Sequence, residues 1–306
     1  MKVPSLKIAT LIATIILFKS CINIKKEFEI ELPGVPNEFA ITSYLNVGYD
    51  SIANMQIEQL HEIGTLPPSV LADIKIFKGD QLVYEQSNCN SDNALNEFDL
   101  NNLEVDRNYT IEISDPKGVL KNCSATSYLF KKPEAGNIKY SFNKNVSDFA
   151  DYSDKVTIGI KDEPGIKNIY YVEVNVIRFE YDYEFDEEGN LIDSTIHYYS
   201  SGTYPEEDNY TNYYIDDSKT TSDGYIYVNR LPTTWSNNAP DSMIIEYLIC
   251  AVSEEEAKYT ESVSASDSQD NPFAEPISTF TNFTNGNGIF SLRNVAHGKV
   301  KVKVTK

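Results

Sequence analysis

Histidine is scarce in this chain of 306 residues, occurring only as His61, His197 and His297. That removes most general-base and nucleophile-activating schemes, and the sequence has no His-Glu-x-x-His, no Gly-x-Ser-x-Gly and no phosphate loop. Gly286-Asn287-Gly288 lacks the third glycine and the strand-then-helix setting of a dinucleotide site. Paired carboxylates stay open as catalysts, with too many candidates among 46 acids to single any out. The inventory points to a protein that is not an enzyme and carries no cofactor. Cysteine is equally sparse: Cys21, Cys89, Cys123 and Cys250 show no zinc-binding spacing, so no metal is expected. Cations are outnumbered, 26 to 46, and the formal charge of −20 repels phosphate backbones, which excludes nucleic acid as a partner.

A long apolar run is missing too. The uncharged stretch from Ile8 to Phe18 has eleven residues, whereas a spanning helix needs roughly 20. It follows Met1, Lys2 and Lys7 and leads into Lys19-Ser20-Cys21, the order of a secretory signal with a small residue before a cysteine. This resembles a bacterial lipoprotein signal, with Phe18 and Lys19 standing where a typical lipobox has Leu and a small residue. The resemblance implies cleavage before Cys21, acylation of that residue, and a membrane tether rather than a membrane span. The alternative is an ordinary secreted protein in which Cys21 is incidental. Removing residues 1–20 takes away Lys2, Lys7 and Lys19 and no acid, leaving 23 cations against 46 acids, a charge of −23.

Residues 21–35 read as a lipidated tether ending at Pro33, Gly34 and Pro36. Beyond it, short alternating strands dominate: Phe39–Leu45, then Asp73–Lys78 and Gln81–Gln86 hinged at Gly79-Asp80, then Thr110–Ser114, a turn at Asp115–Gly118, and Ser124–Phe130. This spacing predicts an all-β chain. Its N-terminal part, residues 36–133, is an Ig-like or transthyretin-like β-sandwich; residues 134–306 form a larger β-sandwich with one short helix, and the two sheets are able to share a core near Pro133. Cys250 sits in the apolar run Met243–Val252 and reads as a free core thiol in a central strand. Cys89 and Cys123 lie in polar, turn-like sequence and could pair if their loops adjoin. The acids at the start of Glu254–Val263 suit the N-terminal turn of the helix. Lys299–Val304 alternates lysine and valine, as an edge strand protected by charge does.

Tyrosine is concentrated: twelve of 21 fall between Tyr170 and Tyr227. Along Tyr170–Phe185 the apolar positions change face at Val176–Ile177, which predicts a bulge or bend there. Asp186–Asn190 reads as a solvated hairpin tip, since Gly189 does not fit the register of a calcium loop. Tyr198–Tyr214 reads as a long exposed loop, with Tyr204, Tyr210, Tyr213 and Tyr214 as a candidate binding surface beside the hairpin tip.

The tail carries a family resemblance. Asp270-Asn-Pro272-Phe273-Ala-Glu275-Pro276, followed by Asn285-Gly286-Asn-Gly288-Ile-Phe290, is similar to the C-terminal signature of the Bacteroidetes outer-membrane lipoproteins grouped as domain of unknown function 4249. The short preceding helix with Tyr259 and the Ser-Cys signal also fit. The resemblance implies an outer-membrane lipoprotein, on the periplasmic or the cell-surface face, often encoded near TonB-dependent transporters; no catalytic residue comes with it. Physically the motif reads as structural: Gly286 and Gly288 allow positive φ or close backbone approach, Pro272 and Pro276 stiffen the segment, and Phe273 and Phe290 anchor it. The function so implied is an accessory or ligand-capture partner of a TonB-dependent transporter, with a glycan or peptide as the captured ligand. The alternative is a carbohydrate-binding surface lipoprotein, lectin-like or adhesin. Asp50-Ser-Ile52, Asp193-Ser-Thr195 and Asp241-Ser-Met243 resemble Bacteroidetes O-glycosylation acceptors, which require exposed loops.

Overall fold

A computed structural model describes residues 38–50, 53, 55–59, 70–90, 95, 98–147, 150–205, 214–232, 242–267 and 278–303. Cys21, Tyr210, Tyr213, Trp235, Pro272, Phe273, Glu275 and Pro276 lie outside them. The strands are β1 (Phe39–Val47), β2 (Gln56–Gln59), β3 (Leu71–Lys78), β4 (Gln81–Asn90), β5 (Arg107–Ser114), β6 (Cys123–Leu129) and β7 (Glu134–Ser147). They continue as β8 (Ala150–Lys161), β9 (Ile169–Phe185), β10 (Leu191–Pro205), β11 (Tyr214–Asp216), β12 (Tyr225–Pro232), β13 (Ser242–Val252) and β14 (Gly286–Lys303). One α-helix, α1 (Glu254–Asp267), separates β13 from β14. The fold is all-β with packed sheets.

Period-two burial forms the first sandwich. In β1 the residues Phe39, Ile41, Ser43, Leu45 and Val47 point inward, and β3 buries Ala72, Ile74 and Ile76. Each fully buried aliphatic side chain contributes roughly 1.5–3 kcal/mol. The four-stranded sheet runs β4-β3-β5-β6. Gly79, at φ +57, opens the two-residue turn that pairs Lys78 with Gln81. Tyr109 is buried at the start of β5, and its hydroxyl receives the Glu104 amide at 2.7 Å and donates back to the Glu104 carbonyl at 3.3 Å. Such a tyrosine corner is a feature of Ig-like sandwiches.

The opposing layer of this core comes from β1, β2 and the far end of the chain. β1 pairs parallel with β14 from Phe39↔Gly286 to Val47↔Asn294, and Phe283, Phe290 and Leu292 share the core with β3, β5 and β6. The sandwich over 36–133 is therefore completed by residues 283–292. Gly288 makes that pairing possible: it sits at φ +115, and a Cβ there would lie 1.7 Å from the Ile41 carbonyl oxygen. Gly286 packs against Cys123, where a Cβ would come within 3.1 Å of its neighbour. The motif residues described, Asn285 (φ +58), Gly286, Gly288 and the fully buried Phe290, thus act in backbone geometry and packing.

The larger sheet runs β2-β1-β14-β13-β9-β10-β12-β8-β7, with β11 on β9. It folds over itself, so that Val156, Ile158 and Ile160 of β8 and Ile226 and Val228 of β12 pack on Val172, Val174, Val176, Met243, Ile245 and Ile249. β13 is central, between β14 and β9, as its apolar run requires. Beyond Asn294, β14 pairs with β13 alone among the described residues, and Lys299, Lys301 and Lys303 are exposed on this edge.

Three expectations are corrected. The bulge at Val176–Ile177 is not there: both residues pair in unbroken register with Ile245 and Ile244 on one side and Ser201 and Ser200 on the other. Tyr170, Val172, Val174, Val176 and Arg178 keep one buried face throughout, while Tyr183 and Phe185 face solvent instead of a second layer. The register shift in this hairpin falls in β10, between Leu191 and Asp193. Residues 198–205 are strand rather than loop, and Tyr204 pairs with Leu231 of β12. Cys89 and Cys123 are free thiols. They lie on β4 and β6, the two outer strands of a four-stranded sheet, three strand spacings or about 14 Å apart. A disulfide needs Cα atoms within about 7 Å.

Candidate functional site

On the face of β9, β13 and β14 that turns away from the folded-over half, paired residues bring Tyr171, Cys250, Val252 and Arg293 to one side. Helix α1 covers this end. Ser253 caps it, accepting the Glu256 amide at 3.2 Å. Ser253-x-x-Glu256 has the form of a capping box, in which the glutamate would reach back to the cap. Here the carboxylate turns into the protein instead. Glu256 has no exposed surface and receives Arg293 Nη2 at 2.7 Å, Arg293 Nε at 3.0 Å, the Tyr214 hydroxyl at 3.0 Å and the Ser291 hydroxyl.

The guanidinium of Arg293 lies between two rings, 4.2 Å from the Tyr44 centroid and 4.7 Å from that of Tyr171. Tyr214 closes the cluster, 5.4 Å from Tyr171 ring to ring and 3.0 Å from the Thr260 hydroxyl. Burial pushes the Tyr44 hydroxyl up to about 12 and raises Tyr214 and Tyr171 as well, the charges of Glu256 and Glu173 adding to the effect. Burial alone would lower Arg293; the neighbouring Glu256 charge overrides it and raises the pKa. Burial likewise raises the Cys250 thiol to about 12. The result is an ionised pair surrounded by neutral hydroxyls and a protonated thiol, which pins the helix to the sheet and fixes the Tyr171 ring.

Past the helix the same face opens into a groove of about 700 Å³. Tyr171, Glu173 and Asn175 of β9 and Glu246 and Leu248 of β13 form its floor, with Asn46 and Tyr49 along the β1 side. The Tyr171 hydroxyl donates to Glu173 at 3.2 Å, and Asn175 donates to Ser200 at 3.1 Å and to Glu246 at 3.4 Å. Lys299 meets Glu246 at 2.5 Å; its hydrogen bond holds the Glu246 carboxyl below the usual range.

A second surface lies at the other end of β9. β13 accompanies β9 only as far as Phe179, and in the strand ladders of the described residues, 180–185 pair with β10 residues between Leu191 and His197. They form a two-stranded arm closed by the turn Asp186–Asn190, whose amide–carbonyl bond is 2.9 Å. Register places Tyr183, Phe185, Leu191 and Ile196 on one face, Asp182, Glu184 and Asp193 on the other. Phe185 is 60% exposed and Ile192 65%.

Of the four tyrosines expected to bind, Tyr210 and Tyr213 are outside the described residues and Tyr204 belongs to a strand. Tyr214 is half-buried in β11 and committed to Glu256 and Thr260. Other tyrosines cover glycines: a Cβ on Gly136 would come 2.5 Å from the Tyr225 ring, and one on Gly298 2.5 Å from the Tyr247 hydroxyl. Of the glycosylation triplets, Ser194 is exposed on the arm, Ser242 is half-buried at the start of β13, and Ser51 is outside the described residues.

Among the described residues no helix is long and apolar enough to cross a membrane. No protein-family profile matches the chain, and no curated protein does. Among solved structures the chain is similar to a "Biofilm associated protein - B domain", at 8% identity and a TM-score of 0.18, over 87% of this chain and 88% of that one. A likeness that weak carries no argument about fold or function.

Proposed function

We propose that this protein is a non-enzymatic cell-envelope lipoprotein, tethered to the outer membrane through Cys21, that acts as an accessory or ligand-capture partner of a TonB-dependent transporter. The single observation that carries the binding role is the arm. Past the end of β13 this hairpin carries Tyr183, Phe185, Leu191, Ile192 and Ile196 with exposed side chains. Exposed apolar side chains clustered beside polar ones mark contact surfaces. The acids on the opposite face keep the free arm soluble. The leader order Lys19-Ser20-Cys21 and the tail resemblance support the tether and the class of partner.

The test is recovery of a transporter from native membranes with the full-length protein and with a variant carrying Tyr183→Ser, Phe185→Ser, Leu191→Ser and Ile196→Ser. These positions lie outside both cores, so the melting temperature should be unchanged while recovery falls at least tenfold. Equal recovery by the variant, or no transporter with either protein, would sink the assignment. A Cys21→Ala variant that stays membrane-bound would remove the tether from it.

A further inference from the structure

We propose that the groove between Tyr49 and Tyr171 binds an uncharged saccharide. The site is separate from the arm and shares no residue with it, so the inference does not rest on the transporter reading. It gives the carbohydrate-recognition alternative a place on the molecule.

The floor is rich in acceptors and poor in uncommitted donors. Arg293 is held by Glu256 and Lys299 by Glu246, and the Tyr171 hydroxyl is given to Glu173. Each carboxylate has about four lone-pair sites, and the groove partners named above use only part of them. Asn46 is held at the groove wall, its amide nitrogen donating to Asp50 at 2.8 Å. The spare carboxylate lone pairs call for donors. Hydroxyl groups supply donors in number.

An apolar platform completes the requirement. Tyr49 is 54% exposed, and its position is fixed rather than floppy. Gly48 at φ +77 turns the chain, the Tyr49 and Asp50 amides both bond the Asn46 carbonyl at 3.2 and 3.0 Å, and the ring meets His297 edge-on at 5.1 Å between centroids. A rigid tyrosine presents contact area at low entropic cost, and the C–H face of a sugar ring is the apolar surface that fits it. The volume, about 700 Å³, is within the roughly 300–1,000 Å³ of small-molecule sites.

Charge narrows the class. With both cations paired, Glu173 leaves the groove negative, so uronates, sialosides and phosphorylated sugars are repelled. A cationic peptide would satisfy the carboxylates but leaves the engaged Glu246 to break its bond with Lys299; a neutral polyol needs no such exchange.

The protein is applied to an array of neutral and acidic glycans, and hits are measured by calorimetry at low and at 0.5 M salt. At least one neutral oligosaccharide should bind with little salt dependence. Tyr49→Ala and Glu173→Ala should each weaken it at least tenfold without lowering the melting temperature, and the four-serine arm variant should bind as the parent does. Three results would overturn the proposal: no neutral glycan bound, acidic glycans bound equally well, or affinity unchanged by Tyr49→Ala. Tight, salt-sensitive binding of an oligolysine peptide without glycan binding would assign the groove to a cationic ligand instead.

Discussion

Breaking the Glu256–Arg293 pair should unfold this protein more readily than any surface substitution, and removing both charges should cost no more than removing one. Glu256 has no exposed surface and the Arg293 side chain only 11%. Truncating either partner strands the other charge away from water, at a cost of about 3–5 kcal/mol. For a chain of this size that corresponds to a fall of about 6–15 °C in melting temperature. Replacing both by methionine removes the stranded charge and fills the space between the Tyr44 and Tyr171 rings; Tyr214 then keeps Thr260 as its hydrogen-bond partner. The double variant should cost no more than either single one, a coupling energy of about 3 kcal/mol or more. Glu256→Gln keeps the shape and loses only the charge, so it should behave like the truncations. Urea unfolding followed by circular dichroism measures all four. If the single losses add in the double variant, or if each is below about 1 kcal/mol, the pair does not hold the helix to the sheet.

Gly288→Ala should be among the most damaging small changes: a Cβ would overlap the Ile41 carbonyl oxygen at 1.7 Å, and positive φ adds roughly 1–2 kcal/mol. Loss of more than about 3 kcal/mol is expected in urea unfolding, and a loss below 1 kcal/mol would show that the β1–β14 pairing is looser than described. Stability should decline in alkali. Burial raises Cys123 and Cys250 from 9.0 to about 12 and Tyr44 from 10.0 to about 12. The folded state thus holds protons that the unfolded chain has released; the contribution is complete below about pH 9 and is lost as pH rises toward 12. Melting temperatures from pH 8 to 11 that stay level would contradict it. Reducing agent should leave the melting temperature unchanged, and Cys89, Cys123 and Cys250 should react with a thiol reagent only after denaturation; a reductant-induced drop would restore the Cys89–Cys123 bond.

Local signals in the sequence identify much of the fold. Alternation marks β1, β3 and β5, Gly79-Asp80 marks the hairpin, the apolar run 243–252 marks a central strand, and the acids after Ser253 mark a helix start. What local signals do not carry is the partner of a strand. Nothing near Phe39 announces that it pairs with Gly286, because a parallel pair separated by nearly the whole chain has no turn to betray it. The site was hidden for the same reason. Glu256 looks like one of three acids serving the helix dipole, and Tyr214 like the end of a loop. Arg293 did offer a clue, since a single cation inside Ile-Phe-Ser-Leu-Arg-Asn-Val-Ala requires a buried counter-charge. The supposed bulge at Val176 arose from equating apolar with buried; in the arm, apolar residues are exposed.

The parallel pairing of β1 with β14 makes the molecule a mechanical latch. Tension entering from the segment before Phe39 pulls β1 along its own axis, while β14, running the same way, is held back through β13. The bonds between them are then loaded together in shear instead of opening one after another. Force spectroscopy pulling between residue 38 and residue 303 should give a high unfolding force that Gly288→Ala abolishes; a low force in the parent would show that the seam bears no load.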